Sequence, residues 1–263
     1  MSVFCPRVRA GLAVALGIVI GTPVEAVTWR ENTFTDFRRG ESDDGGVNLY
    51  AAADGTVRSL YTFDYNRDGA NDILFMCGHD NDYAPAAYIY MNQAGSYDPR
   101  FRWLLQSEGA SGGTLADLDG DGWLDVILCG TSNGANSVAL DAVVYFGAPQ
   151  GYAKRRTVRL PTYQSRCVIA VDIDADGRLD LVFAQGQTPG VIVYRNGKDG
   201  FSPSRADTWN CPAASSCRVA DVDADGHNDL VVLCGREIWI YPGGPSGGLC
   251  SCSARTTCCW FRG

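Results

Sequence analysis

Basic residues, histidines and long apolar runs are all scarce in this chain of 263 residues. Its 22 lysines and arginines face 30 aspartates and glutamates, giving a formal charge of −8. That balance argues against a nucleic-acid partner, whose phosphates call for a basic surface. Only two histidines occur, His79 and His227. Imidazole zinc sites and histidine acid–base relays therefore have almost no material to be built from. The glycine-rich stretch near residue 243 has no helix-forming sequence after it, so a dinucleotide loop is not supported. No apolar run reaches the about 20 residues that cross a bilayer. The one short run, residues 10–20, follows Arg7 and Arg9 and precedes Val24, Glu25 and Ala26. Charged start, apolar middle and small-residue site together read as a secretory signal over residues 1–26, with a short anchor helix as the alternative. The expected product is secreted or extracellular, with no membrane span once the signal is removed.

What the chain has in quantity is aspartate, and half of its acidity is concentrated. DYNRDGANDILF starts at Asp64, DLDGDGWLDVIL at Asp117, DIDADGRLDLVF at Asp172 and DVDADGHNDLVV at Asp221. The starts are 53, 55 and 49 residues apart, and these four stretches hold 15 of the 30 acidic residues. Self-similarity at a period near 50 marks stacked or radially arranged units, each unable to bury its apolar face alone.

The spacing within each stretch suits a hard cation. Positions 1, 3, 5 and 9 are Asp64, Asn66, Asp68 and Asp72; Asp117, Asp119, Asp121 and Asp125; Asp172, Asp174, Asp176 and Asp180; and Asp221, Asp223, Asp225 and Asp229. Alternate residues of a tightly curled loop point inward, and Ca²⁺ accepts six to eight oxygens in a flexible shell. A glycine at position 6 permits the sharp turn. Position 7 (Ala70, Trp123, Arg178, His227) is free to vary because it would offer its backbone carbonyl. Mg²⁺ wants a smaller octahedral shell, and zinc would want His or Cys side chains. An EF-hand needs glutamate at position 12, where this chain has Phe75, Leu128, Phe183 and Val232. The segments that follow are apolar and rich in β-branched residues, the mark of buried strands. A D-x-D-G turn can be a plain hairpin connection, but four copies that all keep the ninth aspartate favour up to four Ca²⁺ ions, one per loop.

A second landmark keeps the same register. Tyr90 and Tyr97, Tyr145 and Tyr152, and Tyr194 and Phe201 each lie seven apart across a glycine-containing turn. From Tyr97, Tyr152 and Phe201 to the next loop is 20 residues every time, while the distance from a loop to its aromatic strand runs from 20 to 28. Each unit thus has a fixed part and one elastic connection, with room for about four strands. In the second unit these are GGTLAD, WLDVILCG, SVALDAVVYFG and YAKRRTVRLP. Small residues before the loops (Gly112, Gly113, Ala170, Ala220) suit inner strands crowding an axis. The expected fold is all-β, a β-propeller of four-stranded blades, with a linear β-solenoid as the alternative.

D-x-[DN]-x-D-G-x-x-D followed by a strand, with Tyr145-Phe146-Gly147-Ala148-Pro149 nearby, resembles the FG-GAP (VCBS-type) repeats of integrin α-subunit-like propellers. The resemblance covers residues 28–248 and implies calcium in the hairpin between the first and second strands of each blade, held by the sixteen residues at positions 1, 3, 5 and 9. Such proteins usually have seven blades. Four clear units and a divergent lead-in, in which TFTDF and VNLYAAADG are read as strands without an ion loop, would leave the ring incomplete. The expected organisation is signal 1–26, repeats 27–248 and an atypical Cys-rich tail 249–263, read as a truncation or reading-frame remnant.

Of the eleven cysteines, Cys5 leaves with the signal, and Cys77, Cys129 and Cys234 are read as small buried residues just past a strand. Cys211 and Cys217 flank a short loop and either pair in an oxidising compartment or stay free. Cys250, Cys252, Cys258 and Cys259 only loosely match a thiolate cluster. The functional expectation is an adhesion or ligand-binding module for an extracellular protein or glycan, with ligand contacts at residues 79–85 (including Tyr83) and 131–140. A carbohydrate-active lyase or hydrolase on the same scaffold, and a non-functional fragment, remain the alternatives.

Overall fold

The segments after the four loops lack the apolar–polar alternation of a half-exposed strand, and so demand burial on both faces. In the computed structural model they become β3 (Asp72–Met76), β7 (Asp125–Leu128), β11 (Asp180–Gln185) and β15 (Asp229–Cys234). The structure describes residues 47–51, 57–76, 87–107, 109–110, 112–131, 139–187, 189–244, 249 and 255–257. The chain divides into two units, Met1–Thr33 and Phe34–Gly263, and all described residues belong to the second. The signal segment, TFTDF, residues 79–85, most of 131–140, and Cys77, Cys250, Cys252, Cys258 and Cys259 lie outside the described residues.

Each unit is an antiparallel meander. β2 (Val57–Phe63), β3, β4 (Ala87–Gln93) and β5 (Ser96–Leu105) form the first sheet. β6 (Gly113–Ala116), β7, β8 (Ala142–Tyr145) and β9 (Thr157–Leu160) form the second. β10 (Ser165–Val171), β11, β12 (Gly190–Gly197) and β13 (Gly200–Asn210) form the third. β14 (Ala214–Ala220), β15, β16 (Glu237–Tyr241) and β17 (Arg255–Thr257) form the fourth. No helix occurs among the described residues. All four strands expected in the second unit are present, and the residues at position 12 sit in strands, which rules out an EF-hand. The lead-in strand VNLYA, β1 (Val47–Ala51), pairs with β2 and makes the first sheet five-stranded. Arg255–Thr257, inside the Cys-rich tail, pairs with β16 and completes the fourth sheet.

The period of two along each central strand feeds two cores at once. Val126 and Leu128 join Leu74, Met76 and Ile89 of the first sheet. Ile127 of the same strand and Cys129 just past its end face the other way, onto Leu181 and Phe183 of the third. Val182 and Ala184 then meet Leu230 and Val232 of the fourth. The sheets therefore pack in sequence order as blades do, and the first strands β6, β10 and β14 are neighbours. Their crowding explains the small residues: a Cβ on Gly112 would lie 2.3 Å from the Arg166 carbonyl oxygen of the next sheet. Tyrosines latch successive blades at the outer end. Tyr145, Tyr194 and Tyr241 donate their hydroxyls to the carbonyls of Gln106 (2.7 Å), Pro161 (2.5 Å) and Asn210 (3.1 Å). The fourth sheet has no such follower among the described residues. Val222, Leu233 and Ile238 are 47%, 40% and 47% exposed, where the corresponding Ile173, Ala184 and Val191 are buried.

Cys217 does not pair with Cys211. Antiparallel register places Cys217 in mid-strand opposite Val232, while Ala214 at the start of β14 faces Cys234 at the end of β15. Cys211, just before that turn, therefore meets Cys234 and bonds to it, with Cα atoms 5.6 Å apart. Cys234 is thus half of a disulfide and not a simple packing residue. Cys129 is free and fully buried, as expected.

Candidate metal centres in the blade hairpins

All four aspartate-rich loops join the first strand of a blade to the second, and all four fold alike. The position 1 carboxylate caps the turn. Asp64 accepts the amides of Asp68 (3.1 Å) and Gly69 (2.8 Å), Asp172 those of Asp176 (3.1 Å) and Gly177 (2.9 Å), and Asp221 those of Asp225 (3.2 Å) and Gly226 (3.0 Å). Asp117 does the same for Gly120 and Gly122, both at 2.8 Å. Position 5 accepts the amide of position 7: Ala70 to Asp68 (2.8 Å), Trp123 to Asp121 (2.9 Å), Arg178 to Asp176 (2.9 Å) and His227 to Asp225 (2.8 Å). The side chains at position 7 are consequently free to differ. At position 3, Asn66, Asp119 and Asp223 accept from position 5, at 3.1, 3.3 and 3.3 Å. Asp174 instead pairs with Arg195 at 2.7 Å.

Two positions in each loop have a left-handed backbone. Position 6 is glycine throughout, with φ of 84–88° at Gly69, Gly122, Gly177 and Gly226. Position 4 is also left-handed, yet only Gly120 is glycine there. Arg67, Ala175 and Ala224 hold φ near 60°, against the preference of an L residue. Nothing in the residue types at position 4 marks this second turn residue.

Position 9 does more than expected. Both oxygens of this buried carboxylate are held by main-chain donors, one at position 2 of the loop and one in or just past the blade's third strand. Asp72 accepts from Tyr65 (2.9 Å) and Asn92 (2.8 Å), and Asp125 from Leu118 and Gly147 (both 2.8 Å). Asp180 accepts from Ile173 (3.1 Å) and Asn196 (2.7 Å), and Asp229 from Val222 (3.0 Å) and Gly243 (2.8 Å). Each ninth aspartate thus clips the loop to the end of the blade's third strand. Burial pushes Asp72 up to about 6 and Asp125 up to about 7, and raises Asp180, partly offset by those same amides. The seven-residue aromatic spacing serves the same region: Tyr97 and Tyr152 donate to the carbonyls of Asn71 (2.7 Å) and Leu124 (2.8 Å) at position 8.

Position 2 docks the loop on the next blade. Tyr65 packs against Tyr152 and Trp123 and donates to the Ala148 carbonyl. The Leu118 carbonyl accepts from Asn196 Nδ2 (2.8 Å), and that of Ile173 from the Leu249 amide (2.9 Å). A lone apolar residue among acids at Tyr65, Leu118, Ile173 and Val222 was the available signal for this contact.

Three loops gather carboxylate oxygens within 4.8 Å of one another: Asp117, Asp119 and Asp125; Asp172, Asp174 and Asp180; and Asp221, Asp223 and Asp225. The donor set is all hard oxygen, which fits Ca²⁺ and not zinc. Asn66 leaves the first loop one carboxylate poorer. Arginines already offset part of the charge in two loops. Arg156 lies 3.5 Å from Asp119 and 3.4 Å from Asp121, and Arg195 bridges Asp174 and Asp207. Between the second and third loops lies a cleft of about 540 Å³, lined by Asp117, Asp119, Phe146, Arg156, Arg178 and Lys198.

Antiparallel four-stranded blades with an acidic hairpin in each define a repeat protein of the blade-forming class. The family model described as FG-GAP-like repeat matches residues 64–128 and 172–232, each stretch spanning two loops, so these two stretches are similar to FG-GAP-like repeats. Among solved structures, it is similar to an Agrocybe aegerita lectin described as recognising non-reducing terminal N-acetylglucosamine, at 17% identity and a TM-score of 0.45. It is also similar to part of the Photorhabdus luminescens Tc holotoxin pore, at 15% identity and a TM-score of 0.28. The first match covers 74% of this chain and 51% of the lectin chain, the second 85% of this chain and 13% of the toxin chain. No curated protein matches.

Proposed function

We propose that this chain is an exported, calcium-stabilised blade module that binds an extracellular protein or glycan, and that its aspartate loops are structural ion sites. The observation that carries the reading is the convergence of three carboxylates in each of three equivalent loops. Side-chain oxygens of positions 1, 3, 5 and 9 and the carbonyl of position 7 would hold the ion, with Asn66 in place of one carboxylate in the first loop. A bound cation supplies charge neutralisation: it lets the carboxylates stay together and ties the loop to the blade.

The same loop reaches the next blade through its second residue, so ordering one hairpin also braces a joint between blades. Affinity in the range of about 10⁻⁴–10⁻³ M suits an extracellular module. The ligand-binding part of the reading draws support from the cleft between the second and third loops. There Arg156, Arg178 and Lys198 stand beside Asp117 and Asp119, a mixed polar wall suited to hydroxyl and anionic groups. Among the described residues no nucleophile–base pair converges there, and a carbohydrate-active enzyme is the competing class.

The test is calcium titration by calorimetry on the folded chain, followed by a glycan and protein array with calcium or EDTA. Calcium uptake with calcium-dependent array binding supports the proposal. Absence of uptake removes the metal reading, and polysaccharide turnover abolished by substitutions in the cleft would replace the binding module with an enzyme.

A further inference from the structure

Two free thiols from different blades meet at the inner strands. Cys167 lies in β10 and Cys217 in β14, and the Cys217 thiol donates to Cys167 Sγ at 3.8 Å and to the Val182 carbonyl at 3.8 Å. Arg218 Nη1 donates to Cys167 Sγ at 3.3 Å and to the Cys217 carbonyl at 2.7 Å. Cys217 is buried, Cys167 is partly open, and the arginine beside it is exposed. We propose that Cys167 and Cys217 are an oxidisable pair that closes a disulfide between the third and fourth blades, with a low-molecular-weight disulfide as oxidant.

The step balances. The Cys167 thiolate attacks one sulfur of the external disulfide, which expels a thiolate and leaves a mixed disulfide on Cys167. The Cys217 thiol then loses its proton, its sulfur attacks Cys167 Sγ, and the second external thiolate leaves. Two protein thiols are oxidised and one external disulfide is reduced to two thiols. The sulfurs need only close from 3.8 Å to the bonded separation of about 2.0 Å, within reach of side-chain rotation. Attack begins at Cys167 because it is the accessible one and because its thiolate is favoured, first by the Cys217 S–H and also by the Arg218 cation. For Cys129, nearby on the second blade, burial outweighs a hydrogen bond from Ser165 and pushes the thiol up to about 12. The bond would clamp β10 to β14, and closing a loop of 50 residues restricts the unfolded chain.

The experiment uses the full folded chain, incubated with oxidised glutathione, acid-quenched, alkylated and digested without reduction. The expected result is a cross-linked peptide joining Cys167 to Cys217, with Cys129 alkylated only after denaturation. Cys217→Ser should stop at a glutathione adduct on Cys167. The urea midpoint should rise on oxidation of the wild type and stay fixed in Cys167→Ser. Recovery of Cys167 and Cys217 as free alkylated thiols after oxidation would overturn the proposal, as would a cross-linked chain whose urea midpoint is unchanged.

Discussion

Asp180→Ala tests whether the ninth aspartate is a backbone clip before it is an ion ligand. Asp180 is fully buried, and its two oxygens accept the amides of Ile173 and Asn196. Truncation leaves two buried donors unsatisfied, at about 1–3 kcal/mol each, so the loss should be roughly 4 kcal/mol. That is a large part of the about 5–15 kcal/mol that holds a domain together. Asp174, six residues earlier in the same loop, is the control. It is exposed and paired with Arg195, an interaction worth about 0–1 kcal/mol at a surface. The assay is urea unfolding followed by tryptophan fluorescence, in EDTA and then in calcium. In EDTA, Asp180→Ala should lose about 4 kcal/mol and Asp174→Ala less than about 1 kcal/mol. In calcium, Asp174→Ala should fall behind the wild type by the increment that the ion supplies. Asp180→Asn, which keeps one acceptor, should fall between. Equal losses for Asp180→Ala and Asp174→Ala in EDTA would refute the clip.

Three further outcomes follow from the geometry. Burial raises Asp125 from 3.8 to about 7 in the fold, so without metal its stabilising contribution is full below pH 4 and is lost as pH rises through about 7. The melting temperature of the wild type relative to Asp125→Asn, measured in EDTA, should therefore decline from pH 4 to 7, and calcium should reverse the trend by favouring the ionised form. Ala175→Gly should stabilise by about 1 kcal/mol, because Ala175 sits at φ 58° where the second loop has Gly120; an unchanged or lower urea midpoint would count against left-handed strain at this position. Tyr194→Phe removes the 2.5 Å bond to the Pro161 carbonyl and should cost about 1 kcal/mol, read as a lower urea midpoint, whereas Tyr90→Phe, whose hydroxyl accepts from the exposed Arg102 of its own sheet, should cost less.

Much of this fold was legible because the repeat fixes a register. Once the four loops are aligned, the apolar run after each must be a strand buried on both faces, and the aromatic pairs seven apart must bracket a turn. The structure has both the strands and the turns, with β7 and β11 wholly buried, while β15 leaves Leu233 40% exposed. What the spacing could not reveal was the division of labour inside a loop. Four aspartates look alike in sequence, yet those at positions 1 and 5 shape the turn, and the one at position 9 reaches out to Asn92, Gly147, Asn196 or Gly243, in or just past the blade's third strand. Those partners differ in identity because the contact uses their backbone amide, which leaves no side-chain signature. The cysteines misled for a related reason. Cys211 and Cys217 are close along the chain, but a strand turns between them, and pairing follows the ladder that brings Cys234 back to Cys211.

The acidic loops also show how charge is managed. Arg156, just before β9, and Arg195, in β12, approach the second and third loops, so these carboxylates are partly compensated by the protein itself. In the fourth loop Asp221, Asp223 and Asp225 have no ion pair among the described residues, and it should respond most strongly to calcium.

The central claim, that the hairpins are calcium sites which stiffen the blades, is tested most directly by thermal unfolding at pH 7 in EDTA and in about 2 mM calcium. With affinity near about 10⁻⁴ M, each occupied loop should add about 2 kcal/mol by mass action, and the melting temperature should rise by several degrees in calcium while magnesium at the same concentration does much less. A melting temperature indifferent to calcium, with no calcium retained by the dialysed protein, would contradict it.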